Sequence, residues 1–443
     1  MPGAMFFKEC KKTAISIIYL IFVVVLILFG YTQIASEFVK IEKPQQGQKS
    51  YGTKYEEKPE IIMPNAIKNL YGEFVSDSYI AYPVGFYKNV KLNDKKQREM
   101  AGILAQLTGI PKDDLMKSAG MEAAGSTLHI GDGTAGNMIR NEDGSYRLII
   151  PDGQGDKDGS TAITDVTVDE GLTYESFLKL MKQADKLIGG GSMYDDIYLA
   201  RFGKAPMTYE DALSEYNDIV EKDGITGAYA RLFCDYIGIV LAIFPVFLAV
   251  ASGMKDRRAR MQELIYSRKT SAFKVIFARY FSMVVMMFLP VLLMAVYAAI
   301  QVSGDYPGFH LNDLAFIKYS LGWLLPTLMV SVAVGVFLTE LTDTPIAVVV
   351  QGVWWFIGLF AGMKHMDGGY GTDLALRHNT LGNTQVYLDN FNVLLMNRIV
   401  YTLFAVALII LTVWIYEMRR RGRLNAYDGF KKIFAHCRGK SKA

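Results

Sequence analysis

Six uncharged apolar stretches constrain the folding of this chain more than any other feature of its sequence. Each is 17 residues or longer and contains no Asp, Glu, Lys, Arg or His. At a helical rise of about 1.5 Å per residue, each can cross a hydrocarbon core about 30 Å thick. The sequence therefore predicts an α-helical polytopic membrane protein with six transmembrane helices. The stretches are Ala14–Tyr31, Tyr236–Met254, Tyr280–Gly304, Tyr319–Thr339, Thr344–Met363 and Ile399–Tyr416.

A long polar segment, residues 32–230, separates the first two stretches. It carries 31 acidic and 22 basic residues, whereas the rest of the chain carries 13 and 25. Its mixed composition predicts an inserted extracytoplasmic α+β domain that follows a tether over residues 36–60. Aromatic and β-branched residues predict strands within 73–92 and 146–150. Asn93, Thr173 and Thr208 are predicted to cap helices over 94–108, 174–188 and 209–222.

Basic residues cluster in three places outside this segment. Lys8, Lys11 and Lys12 lie in the N-terminal region 1–31, eight basic residues lie within 255–279, and nine lie in the tail 419–443. Cytoplasmic segments accumulate Lys and Arg, so both termini are predicted to be cytoplasmic and 32–230 extracytoplasmic in a bacterial plasma membrane. The first stretch is longer than the core of a signal peptide, which predicts a retained anchor.

Cysteine usage adds little to this picture. Cys10, Cys234 and Cys437 lie outside the inserted domain proper. The domain is therefore predicted to fold without disulfide bonds, which is compatible with a Gram-positive surface.

The loop between the second and third stretches carries the most informative motif. In KDRRARMQELIYSRKTSAFKVIFARY, residues 256–268 can form a basic helix, and Ser267–Ser271 then breaks it before the next helix. The part MQELIYSRKTSAFKVIFARY, and the order of one span, an outer domain and five further spans, resemble the permease subunits of type-2 ATP-binding-cassette (ABC) exporters. The resemblance implies a cytoplasmic coupling helix that docks onto an ATPase. Its predicted contact residues are Glu263, Leu264, Tyr266, Ser267 and Arg268.

The resemblance also implies an outer re-entrant segment, residues 364–398, within the five-helix region 231–418. Its predicted site residues are Arg377, Asn379, Asn397 and Arg398. The implied partners are cytosolic ABC ATPase subunits, a second copy or a homologous permease, and the lipid bilayer, with no nucleic acid.

A phosphate-binding loop of the form G-x-x-x-x-G-K-[ST] does not occur in the sequence. Phe434 stands where the first glycine before Gly439–Lys440–Ser441 would be required. We therefore predict that this chain is a transport subunit, not an enzyme. It has no catalytic residues and no cofactor of its own, and ATP and magnesium bind to the partner ATPase.

Uncharged spans argue against an ion-coupled transporter, because ion pathways need ionisable or carbonyl-lined sites at membrane depth. They favour an amphipathic or lipid-like substrate, or a peptide, moved outward by an external motor. Ser331, Thr327 and Gln351 leave a polar site inside the spans open.

No metal site is predicted. The register around Asp156, Asp158 and Gly159 puts Gln154 and Asp165 at key positions of a calcium loop, which does not complete an EF-hand. His310, His365 and His378 lack the spacing of metal ligands. Irregular calcium binding near Asp152 stays open.

Two other classes of protein share the predicted topology. A membrane-anchored surface interaction protein, such as a secretion accessory or phage receptor, has no reason to keep a coupling segment. A sensor would need a cytoplasmic output domain, and the longest cytoplasmic segment is about 27 residues, below domain size.

Overall fold

The computed structural model describes residues 2–83, 86–118, 126–129, 135–140, 146–149, 166–259, 266, 270–309, 311–362, 370–377 and 380–423. The chain forms two compact units. The smaller unit comprises residues 52–207, and the helical unit comprises residues 1–51 and 208–443. The smaller unit is shorter than the predicted domain, 32–230, because residues 32–51 and 208–230 belong to the helical unit.

Two consecutive helices begin the chain, α1 (Pro2–Ala14) and α2 (Ile17–Glu37). Ser16 is extended, with ψ of 129°, and this separates them. The α1 helix was not predicted, because its sequence contains no long apolar run. Its Phe6 ring packs against Phe281, with 5.7 Å between the ring centroids. The predicted first span corresponds to α2.

The smaller unit combines helices with short strands that pair antiparallel. β1 pairs with β7, β2 pairs with β3, and β5 lies between β4 and β6. In chain order the elements are β1 (Thr53–Tyr55), α3 (Pro59–Ser76), β2 (Tyr79–Ala81), β3 (Lys88–Val90), α4 (Asp94–Thr108), α5 (Lys112–Ser118), β4 (Ser126–His129), β5 (Ala135–Arg140), β6 (Tyr146–Ile149), α6 (Tyr174–Ile188) and β7 (Lys204–Pro206).

Local capping chemistry sets the bounds of α4 and α6. The Asn93 side chain accepts a hydrogen bond from the Lys96 N–H, and the Thr173 hydroxyl accepts one from the Ser176 N–H. Both helices end at a glycine in the left-handed conformation, Gly109 at φ 72° and Gly189 at φ 120°. These caps satisfy main-chain groups that have no partner inside the helix. The predicted ranges, 94–108 and 174–188, are confirmed.

The prediction of strand over residues 73–92 is wrong at its start. Residues 73–76 belong to α3, whereas β2 and β3 lie within the remainder. The buried residues Ile67, Leu70 and Phe74 recur every three or four positions, which is the helical period. Aromatic and β-branched content suggested a strand, but this periodic face is buried as a helix in the core of the smaller unit.

The helical unit continues after the smaller unit. Two π-helical turns, Asp218–Asp223 and Ser320–Leu324, extend α7 and join α10 to α11. The elements are α7 (Tyr209–Asn217), α8 (Ile225–Arg258), α9 (Ala272–Asp305), α10 (Ala315–Tyr319), α11 (Leu325–Thr342), α12 (Ile346–Gly362), α13 (Thr384–Asp389) and α14 (Phe391–Arg420).

Five helical segments within the described chain are long and apolar enough to cross a membrane: α2, α8, α9, α14 and the segment Ala315–Thr342. The α12 helix, which lies in the predicted fifth span, Thr344–Met363, has 17 described residues and is a shorter apolar helix. A sixth crossing therefore stays a prediction. The architecture is that of a polytopic α-helical membrane protein.

The α11 helix lies at the centre of the helical unit. It packs against α8, α12 and α14, and Leu328, Val332 and Ala333 on it are fully buried. A helix that is apolar on all sides is expected in such a position. At Gly335 an added Cβ would lie 2.5 Å from the Cβ of Ala249, so the absence of a side chain lets α8 approach closely.

Candidate functional site

Two groups of polar contacts lie at opposite ends of the helical unit. We call the end with Glu37 and Ile225, where α2 ends and α8 begins, the Glu37 end. The end with Lys255 and Arg419 is the basic end. The last helix, α14, begins at the Glu37 end and finishes at the basic end.

Arg398 lies in the second turn of α14 and is 3% exposed. Its guanidinium donates to the Trp323 carbonyl at 3.0 Å and to the Thr327 hydroxyl at 2.7 Å. It also donates to the carbonyls of Asp373 at 3.0 Å and Leu374 at 3.3 Å. A buried charge is tolerated when hydrogen bonds replace its hydration. Arg398 thus joins α14 to the segment Ala315–Thr342 and to residues 373–374.

Two neighbours of Arg398 bind the same short stretch, residues 371–374. The Asn397 amide donates to the Gly371 carbonyl at 2.5 Å and to the Asp373 carbonyl at 3.2 Å. The Tyr401 hydroxyl donates to the Thr372 carbonyl. The first turns of α14 therefore hold this stretch through its main chain. We call residues 371–374 with Asn397, Arg398 and Tyr401 the α14 clamp.

A second buried cation, Arg231, is fully buried near the start of α8. It pairs with Asp223, with Nε and Nη2 at 2.8 and 2.5 Å from the same carboxylate oxygen. Nη2 also donates to the carbonyls of Leu381 at 3.2 Å and Gly382 at 3.3 Å, and the guanidinium lies 5.0 Å from the Tyr387 ring centroid. Burial raises the pKa of Asp223, and the ion pair with Arg231 opposes this shift.

Further contacts hold the chain between α12 and α14. Arg377 pairs with Asp235 of α8 at 2.5 Å. Glu215 of α7 accepts a hydrogen bond from the Asn383 N–H; burial raises the pKa of Glu215, and this bond lowers it. An added Cβ at Gly382 would collide with the Glu215 carboxylate, so a side chain there would require Glu215 to move. The described residues 370–377 and 380–390 are thus tied to α7, α8 and α14.

The predicted outer site residues are partly brought together. Asn397 and Arg398 form the α14 clamp, and Arg377 lies nearby in sequence with its own partner on α8. Asn379 lies outside the described residues. The described helices within the predicted re-entrant segment, 364–398, are α13 and the first turns of α14, which begins at Phe391, before the apolar run at Ile399.

Sequence reasoning missed Arg231 and Asp223. They lie just before the apolar run at Tyr236, where charged residues are expected at the end of any membrane helix. Their pairing signal was the spacing of eight residues, about two helical turns, across Gly224. The main-chain partners of Arg231 at 381–382 are about 150 residues away, so no local sequence pattern predicts them.

At the basic end, α14 contacts the predicted coupling segment. The Tyr416 ring packs edge-on against the Tyr266 ring, with centroids 5.2 Å apart. Arg420 donates to the Thr270 carbonyl at 2.8 Å. Arg419 pairs with Asp343, in the turn between α11 and α12, at 2.6 Å. The other predicted coupling residues, Glu263, Leu264, Ser267 and Arg268, lie outside the described residues.

Polar side chains inside the spans serve helix packing. Pro245 has no N–H, so the carbonyl of Leu241 loses its helical donor. The Ser331 hydroxyl lies 2.9 Å from that carbonyl oxygen and 3.1 Å from the oxygen of Ala242. The Gln351 amide donates to Ala242 at 2.5 Å. Neighbouring helices commonly satisfy main-chain groups freed by proline in this way. Thr327, the third residue considered for a polar site, binds Arg398.

No group of three or more His, Cys, Asp and Glu side chains in the described part of the chain is arranged to hold a metal ion. The family model described as ABC-2 family transporter protein matches residues 14–414. The chain belongs to this family. No curated protein and no solved structure matches it.

As an ABC-2 family transporter protein, the chain is the membrane component of an ABC transporter and is expected to act with a separate ABC ATPase. The match includes the predicted coupling segment, the α14 clamp and the five apolar helical segments. The final residues of α14, 415–420, lie beyond it. It also runs across residues 52–207.

Proposed function

We propose that this chain is the permease subunit of an ATP-driven exporter, which moves an amphipathic or lipid-like substrate, or a peptide, outward. Two copies, or one copy and a homologous permease, pair in the membrane and bind two cytosolic ATPases. The basic end is cytoplasmic in this proposal, and residues 32–230 are extracytoplasmic. Membership of the ABC-2 family supports the transporter class.

The observation that carries the mechanism is the placement of contacts on α14. One continuous helix of 30 residues touches the coupling segment at Tyr266 and Thr270 and carries Arg398 at its other end. Rigid helices and packed side chains carry coupling between distant sites when the connecting element has two arrangements that both sites bias. Movement of the coupling segment by the ATPase would therefore shift α14 and strain the hydrogen bonds of the α14 clamp. We propose that the α14 clamp opens and closes the outward exit for the substrate.

Co-purification tests the assignment. The tagged chain is expressed with its neighbouring genes, solubilised in mild detergent, and the proteins bound to it are identified. We expect a stoichiometric ATPase with a phosphate-binding loop, retained by the charge-reversed control Asp428→Lys in the basic tail and lost with Glu263→Lys. Membrane insertion should be equal in both variants.

Two results would contradict the proposal. If no ATPase co-purifies in several mild detergents, the interaction-protein alternative gains support. If the ATPase binds the Glu263→Lys variant as well as it binds the wild type, the docking site lies elsewhere on the chain.

A further inference from the structure

A groove opens on the helical unit between α2, α8 and α12, toward the basic end. Its volume is about 870 Å³, within the range of about 300–1,000 Å³ typical of sites for small molecules. Ile18 and Ile21 form the α2 wall, Phe244 and Phe247 belong to α8, and Val348 belongs to α12. The groove is thus a recess between membrane helices.

The lining changes character along α8. Phe244, Phe247 and Ala251 are apolar, and Lys255, one turn further, is the charged residue that lines the rim. No carboxylate occurs among the described residues that line the groove. The described lining residues therefore form an apolar wall with one positive charge, that of Lys255, at one end.

The length of the groove matches one leaflet of a bilayer. Phe244 and Lys255 are separated by eleven positions, or about 16 Å along a helix. Half of the hydrocarbon core measures about 15 Å. If Lys255 lies at the membrane surface, Phe244 lies near the midplane. A ligand that fills the groove would have an apolar portion as long as one acyl layer and a head group beside an ammonium ion.

We propose that this groove binds one anionic phospholipid of the leaflet at the basic end, with its phosphate beside Lys255 and its acyl chains along Phe244 and Phe247. Basic residues next to a membrane attract anionic head groups. A long lysine side chain can keep its stem on apolar surface while its ammonium group reaches the head-group layer. The inference requires only that α8 crosses the membrane, and it does not depend on export or on an ATPase.

Native mass spectrometry of the purified full chain tests the proposal. Phosphatidylglycerol and phosphatidylcholine with identical acyl chains are added separately, and retained lipid is counted. We expect wild type to retain the anionic lipid preferentially. Lys255→Gln should lower its retention about fivefold, the effect of one cation near a membrane surface, and should leave phosphatidylcholine unchanged. Lys255→Arg should restore the preference.

Two matched controls separate this site from general effects. Lys274→Gln removes an exposed lysine near the start of α9 that does not line the groove. Leu289→Phe enlarges an exposed side chain on α9, whereas Ala251→Phe fills the groove. We expect both α9 variants to behave as wild type and Ala251→Phe to lower retention of both lipids.

Several results would overturn the proposal. Equal retention of the two lipids by wild type would contradict a head-group site at Lys255. So would a loss of phosphatidylglycerol with Lys274→Gln equal to the loss with Lys255→Gln. Displacement of the lipid by inorganic phosphate would indicate a free-anion site. If Ala251→Phe changes the ratio of monomer to dimer but not lipid retention, the groove is a surface between two copies of the chain.

Discussion

Replacing Arg398 by glutamine should release residues 371–374 from α14. The substitution removes the donors to four acceptors on other segments: the Trp323, Asp373 and Leu374 carbonyls and the Thr327 hydroxyl. Side-chain hydrogen bonds between membrane helices are worth about 0.6 kcal/mol each on average. Two of these four bonds, to the Asp373 and Leu374 carbonyls, hold the stretch 371–374. Their loss costs about 1.2 kcal/mol, which corresponds to about a sevenfold increase in the open population, at about 1.4 kcal/mol for each factor of ten.

Hydrogen exchange of the detergent-solubilised protein measures this opening directly. Main-chain amides in residues 371–376 should exchange about sevenfold faster in Arg398→Gln, because local opening free energy sets their protection. Lysine at position 398 should give a smaller increase, since an ammonium group cannot reproduce the planar fork of the guanidinium. The control is Arg421→Gln, which removes an exposed pair with Glu417 at 2.9 Å.

Unchanged exchange in Arg398→Gln would refute the reasoning. It would mean that Asn397 and Tyr401 hold the stretch without help from the guanidinium. An equal increase in Arg421→Gln would show a general loosening of α14, in which case the exchange rate would carry no information about the α14 clamp.

Three further predictions concern other buried contacts. Burial raises the pKa of Glu73 from 4.5 to about 7. Ionisation of this carboxyl therefore destabilises the fold, and the destabilisation is absent below pH 4.5 and complete above pH 7. Glu73→Gln should have an unfolding free energy up to about 3 kcal/mol above that of the wild type at the upper end of this range, measured by thermal unfolding against pH. Gly382→Ala should lower the melting temperature by colliding with Glu215, and Glu215→Ala in the same chain should recover most of the loss. Arg231→Met should cost about 3–5 kcal/mol in denaturant unfolding by leaving Asp223 buried and unpaired, and adding Asp223→Asn should restore part of it.

Local chemistry made parts of the fold predictable. Asn93 and Thr173 predict the starts of their helices because capping depends on residues within one turn. The α3 helix was missed at its C-terminal end because Phe74 and Val75 favour strands locally, whereas burial of Phe74 in the core decides the outcome. Strand preference in particular depends on tertiary context.

The contacts of the α14 clamp and of Arg231 show the same limit more sharply. Asn397 and Arg398 were singled out through resemblance to a family, and their structural partners at 371–374 could not be read from the sequence. The partners of Arg231 include main-chain oxygens at Leu381 and Gly382, which no residue pattern marks. Main-chain acceptors are chemically identical at every position, so only the fold selects among them.

The α14 clamp grips residues 371–374 by their main-chain oxygens: Gly371, Thr372, Asp373 and Leu374 each present a carbonyl to Asn397, Arg398 or Tyr401. These bonds survive any change of side chain in the stretch that preserves its backbone course. Substitution of the exposed Thr372 side chain can therefore leave the position of this main chain unchanged. Side-chain variation in this stretch is thus independent of the contacts that hold its main chain, as it is in variable loops on a constant scaffold.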